Sequence, residues 1–277
     1  MQVIRNRYQL NMPKIGLGTW PMKDEECTRA VRQALEIGYR HIDTAAAYEN
    51  EAAVGKALAE SEVQRQSIHL TTKVWWDQLQ PEAMRASLAA SLQALRSDYV
   101  DLFLIHWPGN AGDLRGDALE RSLETLTELR EEGKALNIGV ANFPLPLLRQ
   151  SIETCKAPIA AIQVEYHPLL DQQPMLDYAR EHNLAFTAYC PLARGEAAQL
   201  PEIRQIASKH GVFPSQVVLQ WLLAQDNVAV IPKASGVDNQ RANLAALDIR
   251  LDDEDRALIA SLPKDRRLVS PEFAPAW

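Results

Sequence analysis

The chain has 277 residues, enough for one large domain with a sizeable core. Its composition is that of a globular protein, 47% apolar and 23% charged, and 29 Lys and Arg against 36 Asp and Glu leave a formal net charge of −7. That acidic balance argues against nucleic acid or an anionic membrane as the main partner, and no apolar run approaches the roughly 20 residues that span a bilayer.

Cys27, Cys155 and Cys190 form no CxxC pair, and no apolar leader opens the chain. The expectation is a cytoplasmic protein in a reducing compartment, working as a monomer. The histidines at 41, 69, 106, 167, 182 and 210 show neither HxH nor HExxH spacing, so no metal site is expected.

In chain order, short apolar segments alternate with helical patterns. Residues 2–5 and 8–10 flank Asn6-Arg7 and predict a short N-terminal hairpin plugging the bottom of the fold. A first strand is predicted at 15–19. A helix follows over 24–37, with Cys27, Ala30, Val31, Ala34 and Leu35 on one face, Asp24 as its cap and Gly38 as its terminator. A strand at 40–43 precedes a helix at 51–60, and a strand at 68–73 precedes a helix opened by Pro81. Strands at 101–106, 135–141, 161–164, 184–189 and 228–231 complete the series. Their helices lie near 118–132, after Pro146, after Pro174, after Pro201 and Pro214, and at 238–247 and 253–261.

Eight strand–helix units with apolar strands predict a single (β/α)8 TIM barrel over 1–277. On periodicity alone, an open doubly wound sheet is the alternative.

In such a barrel, chemistry belongs at the C-terminal ends of the strands. Asp43, Lys73, His106, Gln163 and Tyr189 stand at or near those ends, and Tyr48, Asn142 and Lys233 just beyond them. Each alone has a plain structural reading: a turn Asp, a surface Tyr, a solvated Lys, a core His. Together they form a ring around one cavity mouth, and their chemistry is coherent. Carbonyl reduction needs a proton donor for the developing alkoxide. A free Tyr, with a pKa of about 10, is a poor donor near neutrality. A neighbouring Lys73 is expected to lower the Tyr48 pKa, Asp43 to hold the ammonium charged, and His106 to hydrogen-bond the carbonyl oxygen. A Schiff-base aldolase using Lys73 or Lys233 is a rival reading; Asp43 beside Lys73 opposes it by keeping the amine protonated.

Several stretches in this order resemble the aldo-keto reductase family: Gly16-Leu-Gly-Thr-Trp20, Gly38-Tyr-Arg-His-Ile-Asp-Thr-Ala45, Tyr48-Glu-Asn-Glu51, Thr72-Lys73, Tyr99-Val-Asp-Leu102, His106-Trp107-Pro108, Gly139-Val-Ala-Asn-Phe143, Tyr189-Cys-Pro-Leu192 and Ile231-Pro-Lys233. The closing segment, Arg267 to Glu272 with Ala274-Pro-Ala-Trp277, resembles the bacterial 2,5-diketo-D-gluconate reductases of the B type.

The resemblance implies NADPH-dependent reduction of small carbonyls such as methylglyoxal or keto-sugars, with Asp43, Tyr48, Lys73 and His106 as the catalytic set. It implies that Asn142 and Gln163 bond the nicotinamide carboxamide and that Tyr189 stacks on its ring. Lys233 would meet the 2'-phosphate, with Thr19, Leu192, Ser235, Asn239 and Asn243 as further cofactor contacts. Trp20, Trp75 and Trp107 would wall the substrate. Two departures stand out: Ala141 replaces the family's usual Ser, and Asn239 stands where a second phosphate-binding Arg is usual, with Arg241 two residues on. Some relatives are regulatory subunits, which makes a non-catalytic nicotinamide-binding protein the other rival. The short tail leads to the expectation of an open site.

Overall fold

A computed structural model describes residues 2–109 and 114–277. The chain opens with an antiparallel hairpin of β1 (Val3–Arg5) and β2 (Asn11–Pro13), Ile4 facing Met12. The second arm lies further along than the expected 8–10, because Asn6 organises a longer turn. Its Oδ1 accepts the backbone N–H of Tyr8 at 3.0 Å and of Leu10 at 3.3 Å. Its amide donates to Ala160 O at 2.9 Å, which fastens the turn to the body of the protein. Ile4, Leu10 and Met12 pack against Leu102, Leu104, Ala141, Ala161, Ala185 and Ala229, which places the hairpin as a plug under the barrel interior.

Eight strands follow in one sheet, in sequence order. They are β3 (Leu17–Gly18), β4 (His41–Asp43), β5 (His69–Val74), β6 (Val100–Ile105), β7 (Ala135–Ala141), β8 (Ile159–Glu165), β9 (Ala185–Tyr189) and β10 (Val228–Val230). All neighbouring pairs are parallel. The sheet closes on itself through a parallel bridge from Ile15 to Val230, where Gly16 N donates to Val230 O and Val230 N to Lys14 O. This is a (β/α)8 barrel. Gly18 permits the seam, since a Cβ there would sit 2.5 Å from Ile231 O, and Gly16 leaves room for the His41 ring of β4, 2.7 Å from where its Cβ would be.

The helices bury the faces that their spacing predicts. In α1 (Asp24–Glu36) those are Cys27, Ala30, Val31, Ala34 and Leu35. Asp24 does not cap this helix; it begins the helix and, with Glu25 and Glu26, sets negative charge at the positive end of the helix dipole. Gly38, with φ of 113°, ends it as expected. Proline opens the first turn of α3 (Pro81–Leu95), α7 (Pro201–His210) and α8 (Pro214–Leu223). The helix at Pro146 is short, α5 (Leu145–Arg149), and widens into a π turn over Gln150–Thr154. The remaining helices are α2 (Glu51–Glu60), α4 (Gly116–Glu131), α6 (Gln173–Glu181), α9 (Val237–Ala245) and α10 (Asp253–Ala260). Among the described residues, no helix is long and apolar enough to cross a membrane.

Beneath the strands, His41 and His69 meet edge to face with ring centroids 4.8 Å apart. Both are buried, and burial pulls both pKa values below the usual histidine value. The unfolded chain therefore binds protons that the folded chain refuses, and stability must fall as pH drops through about 6.5, the unfolded value. Each fully neutral-buried His contributes a slope of up to about 1.4 kcal/mol per pH unit. Urea unfolding between pH 8 and 5.5 should show this loss, and a His69→Asn variant should show a shallower one. A stability flat across that range would contradict the buried neutral pair.

Candidate active site

The functional ring is assembled by the barrel's C-terminal mouth. Asp43 ends β4, Lys73 is the fifth residue of β5, and Gln163 lies on β8, across the barrel. Lys73 is fully buried, and its Nζ donates to Asp43 Oδ1 at 2.6 Å, Thr44 O at 2.8 Å and the Tyr48 hydroxyl at 3.3 Å. All three ammonium donors are thus committed. Burial works against the charge, but Asp43 and Tyr48 outweigh it and hold the Lys73 pKa above its ordinary value. The other oxygen of Asp43 accepts from Gln163 Nε2 at 2.8 Å.

Tyr48 sits on the 3-10 turn Ala46–Tyr48, which Lys23 clamps from outside by bonding Tyr48 O at 2.8 Å and Glu49 at 3.0 Å. Its ring lies 5.4 Å from that of His106 and 5.3 Å from that of Trp20. The expected fall in the Tyr48 pKa is not what the site produces. Burial raises it, and Lys73, which lowers it, only partly offsets that rise. The expectation counted the ammonium and left out the desolvation of a phenolate.

His106 follows β6. Burial first, and the Lys73 charge second, hold its pKa well below the usual value, so the ring is neutral near pH 7. Its Nδ1 is buried with no hydrogen-bond partner.

Asn142 follows β7 in a left-handed conformation, φ 59°. Its amide donates to His106 O at 2.9 Å and its oxygen accepts from the Tyr189 hydroxyl at 2.6 Å. Asn142 and Gln163 each keep one amide N–H and oxygen acceptor capacity beyond these bonds, so between them they can both donate to and accept from a carboxamide. Ala141, buried in the barrel interior, adds no polar group. Thr19 is buried, with its hydroxyl given to Asp43 O at 3.0 Å; it frames Asp43.

After β10, Lys233 is exposed and Ser235 half-buried, just before α9, whose first residues have no side-chain cap. Such an open helix start suits a phosphate. Asn239 and Arg241 are both exposed on that helix. Asn243 is different: it is buried beside the Tyr39 hydroxyl, so it does not join Lys233 at the surface. Leu192 is half-buried and packs on the apolar core.

Trp20 is 56% exposed at the rim, Trp75 lies 5.1 Å from His106, and Trp107 is buried. The open site expected from the short tail is not found. Residues 265–277 return across the mouth, with Phe273 centred 5.4 Å from Trp75, 5.7 Å from Trp76 and 5.5 Å from Trp107, and Trp277 centred 6.1 Å from Trp107. Phe273 and Glu165 were missed in the sequence. Glu165 was within reach of it: two residues after Gln163 on one strand, it shares that residue's face. Phe273 carries no local signal, since its contacts come from distant strands.

Known proteins are similar to this chain in sequence and fold. The aldo/keto reductase family model matches residues 14–264. The chain belongs to the aldo/keto reductase family. It is an oxidoreductase, and the family generally uses NAD(P)H. The chain is 42% identical to a methylglyoxal reductase, DkgB, of Salmonella typhimurium, over 97% of this chain and 100% of that protein. It is 38% identical to a 9,11-endoperoxide prostaglandin H2 reductase of Trypanosoma cruzi, over 94% of this chain and 90% of that protein. Among solved structures, one provisionally named 2,5-diketo-D-gluconic acid reductase B superposes with a TM-score of 0.93 at 37% identity, covering 100% of this chain and 96% of that one. Among the described residues, no cluster of three or more His, Cys, Asp or Glu is placed to hold a metal ion.

The buried Lys73–Asp43 pair yields a stability test. Lys73→Met leaves Asp43 without its cation and is expected to cost about 3–5 kcal/mol in urea unfolding. Adding Asp43→Asn should return part of that loss. A Lys73→Met protein as stable as its parent would show that the pair is not electrostatically coupled.

Proposed function

We propose that this chain reduces small aldehydes and ketones to alcohols with NADPH. Its substrates would be 2-oxoaldehydes such as methylglyoxal and keto-sugars such as 2,5-diketo-D-gluconate. The observation that carries the reading is the unbroken chain of contacts from Tyr48 through Lys73 to Asp43, opening beside His106.

NADPH supplies the hydride. The protein's own part is to hold the carbonyl and deliver a proton. His106, kept neutral, offers a ring N–H to the carbonyl oxygen. Tyr48 keeps its proton at neutral pH and gives it to the alkoxide, a far stronger base than phenolate. Lys73, charged and already aimed at the Tyr48 oxygen, stabilises the phenolate as it forms and needs no reorganisation to do so. Asp43 fixes that ammonium, and Gln163 fixes Asp43. With its donors committed and its charge retained, Lys73 is a poor Schiff-base nucleophile, which disfavours the aldolase reading. An intact donor chain likewise disfavours a purely regulatory subunit.

The cofactor would lie with its nicotinamide near Asn142, Gln163 and Tyr189 and its 2'-phosphate near Lys233 and the start of α9. Lys233 supports NADPH over NADH; Asn239, in place of an Arg, moderates that preference. An NADPH-fuelled role and three free cysteines, Cys27, Cys155 and Cys190, favour a cytoplasmic enzyme, taken to act as a single-domain monomer.

Initial rates with methylglyoxal, following loss of reduced nicotinamide, test the reading. Turnover should be faster with NADPH than with NADH, and Lys233→Met should raise the KM for NADPH while leaving its kcat for the reduction nearly untouched. Tyr48→Phe should lower kcat at least 100-fold, the scale of lost general acid catalysis. Near-normal turnover in Tyr48→Phe would remove Tyr48 as the proton donor. Because Tyr48 titrates above the ordinary phenol value, the parent's reduction rate should hold steady through pH 9 and fall only as the phenol ionises.

A further inference from the structure

The returning segment is tied down next to the mouth. Glu165, fully buried at the end of β8, accepts the backbone N–H of Leu268 at 2.7 Å and of Val269 at 2.9 Å. His167 Nε2 lies 2.9 Å from the same carboxylate. Two residues before Leu268, Arg266 forks onto Glu196 at 3.1 Å from each oxygen.

Between these anchors Arg267 turns the other way. Its guanidinium carbon lies 3.8 Å from the centre of the Trp277 ring, and its Nη1 is buried with no hydrogen-bond partner. Among the described residues it forms no ion pair. The acid nearest in charge is Glu165, but both Glu165 oxygens already serve the backbone and His167. Burial pulls the Arg267 pKa below its ordinary value, and the attraction of Glu165, which favours the charge without bonding it, offsets this only in part. The group stands among the substrate-side aromatics: Trp277 packs on Trp107, next to His106, and Tyr189 feels the Arg267 charge.

We infer that Arg267 receives a carboxylate carried by the carbonyl substrate, so that the site favours oxo acids and aldehyde acids over neutral carbonyls. The inference rests on the reductase reading and narrows it. Two other cations at the mouth are already engaged: Lys73 has all its donors committed, and Lys23 is held by Tyr48 O and Glu49. A guanidinium offers parallel N–H donors that match the two oxygens of a carboxylate, which a lysine cannot reproduce. Glu165 supports this by fixing the backbone one residue beyond Arg267, so the fork is held in place before substrate arrives.

A matched pair of aldehydes with the same carbon chain tests it: succinic semialdehyde, which bears a carboxylate, and butanal, which does not. The kcat/KM ratio of acid to neutral substrate should exceed one in the parent. It should fall at least tenfold in Arg267→Met, through the KM of the acid, and by less in Arg267→Lys, which keeps the charge and loses the fork. An equal fall for both aldehydes would make Arg267 a structural cation balancing Glu165 and overturn the inference. An unchanged ratio would overturn it too. Should Arg267→Met not fold, Arg267→Lys carries the same comparison. If the parent with NADPH reduces neither aldehyde, the reductase reading fails separately. Succinate binding by calorimetry then decides Arg267: binding that is lost in the variant supports the carboxylate receptor, and no binding by the parent overturns it.

Discussion

An ammonium and a carboxylate lie side by side in the barrel mouth, Lys73 wholly sealed from water and Asp43 almost so. Removing two such charges from solvent costs several kcal/mol each, and their attraction offsets that only if every remaining donor and acceptor is satisfied. The surroundings meet that condition. Thr44 O and the Tyr48 hydroxyl take the other two ammonium donors, and Gln163 caps the free carboxylate oxygen. Thr19 and Asn50 then brace the loops that carry these groups, Thr19 on Asp43 O and Asn50 on Thr19 O, Met22 O and Thr44. The pair thus dictates the positions of β3, β4, β5 and β8 at the mouth.

A barrel is the architecture that makes such a demand possible to meet. Asp43 and Gln163 are 120 residues apart and lie on strands four places apart in the sheet, yet closure brings their side chains within 2.8 Å. An open sheet would hold them too far apart to touch. The hairpin plug and the close approach at Gly18 seal the bottom and the joint, so that substrate can enter only from the opposite end.

Electrostatics divides labour within that set. Lys73 stays charged because its partners outweigh burial, His106 stays neutral because burial and the Lys73 charge both disfavour its imidazolium, and Tyr48 stays protonated because a phenolate there would be poorly solvated. One environment therefore maintains an ammonium, an imidazole and a phenol together at neutral pH. Beyond them the returning segment supplies aromatic cover from Phe273 and Trp277 and a guanidinium from Arg267, none of which belongs to the ring of strand ends.

Much of this was legible in the residues alone. Alternation of apolar strands with amphipathic helices determined a parallel sheet covered by helices, and the ring of polar strand ends favoured its closure into a barrel over an open sheet. The polar residues at strand ends determined the site, because a barrel of this kind points those ends at one mouth. What the sequence could not decide were the quantities that depend on how far a group is removed from water and on which distant segment covers it. The net direction of the Tyr48 pKa turned on burial competing with a nearby charge. The true second arm of the hairpin turned on where the Asn6 side chain found its acceptors and donors. The burial of Asn243, the bonding of Asn142 to Tyr189 and of Gln163 to Asp43, and the return of residues 265–277 onto Trp75 and Trp107 all arise from contacts between segments remote in the chain. Local pattern sets which element a residue joins; desolvation and long-range contact exist only after the chain has closed, and only the tertiary structure decided them.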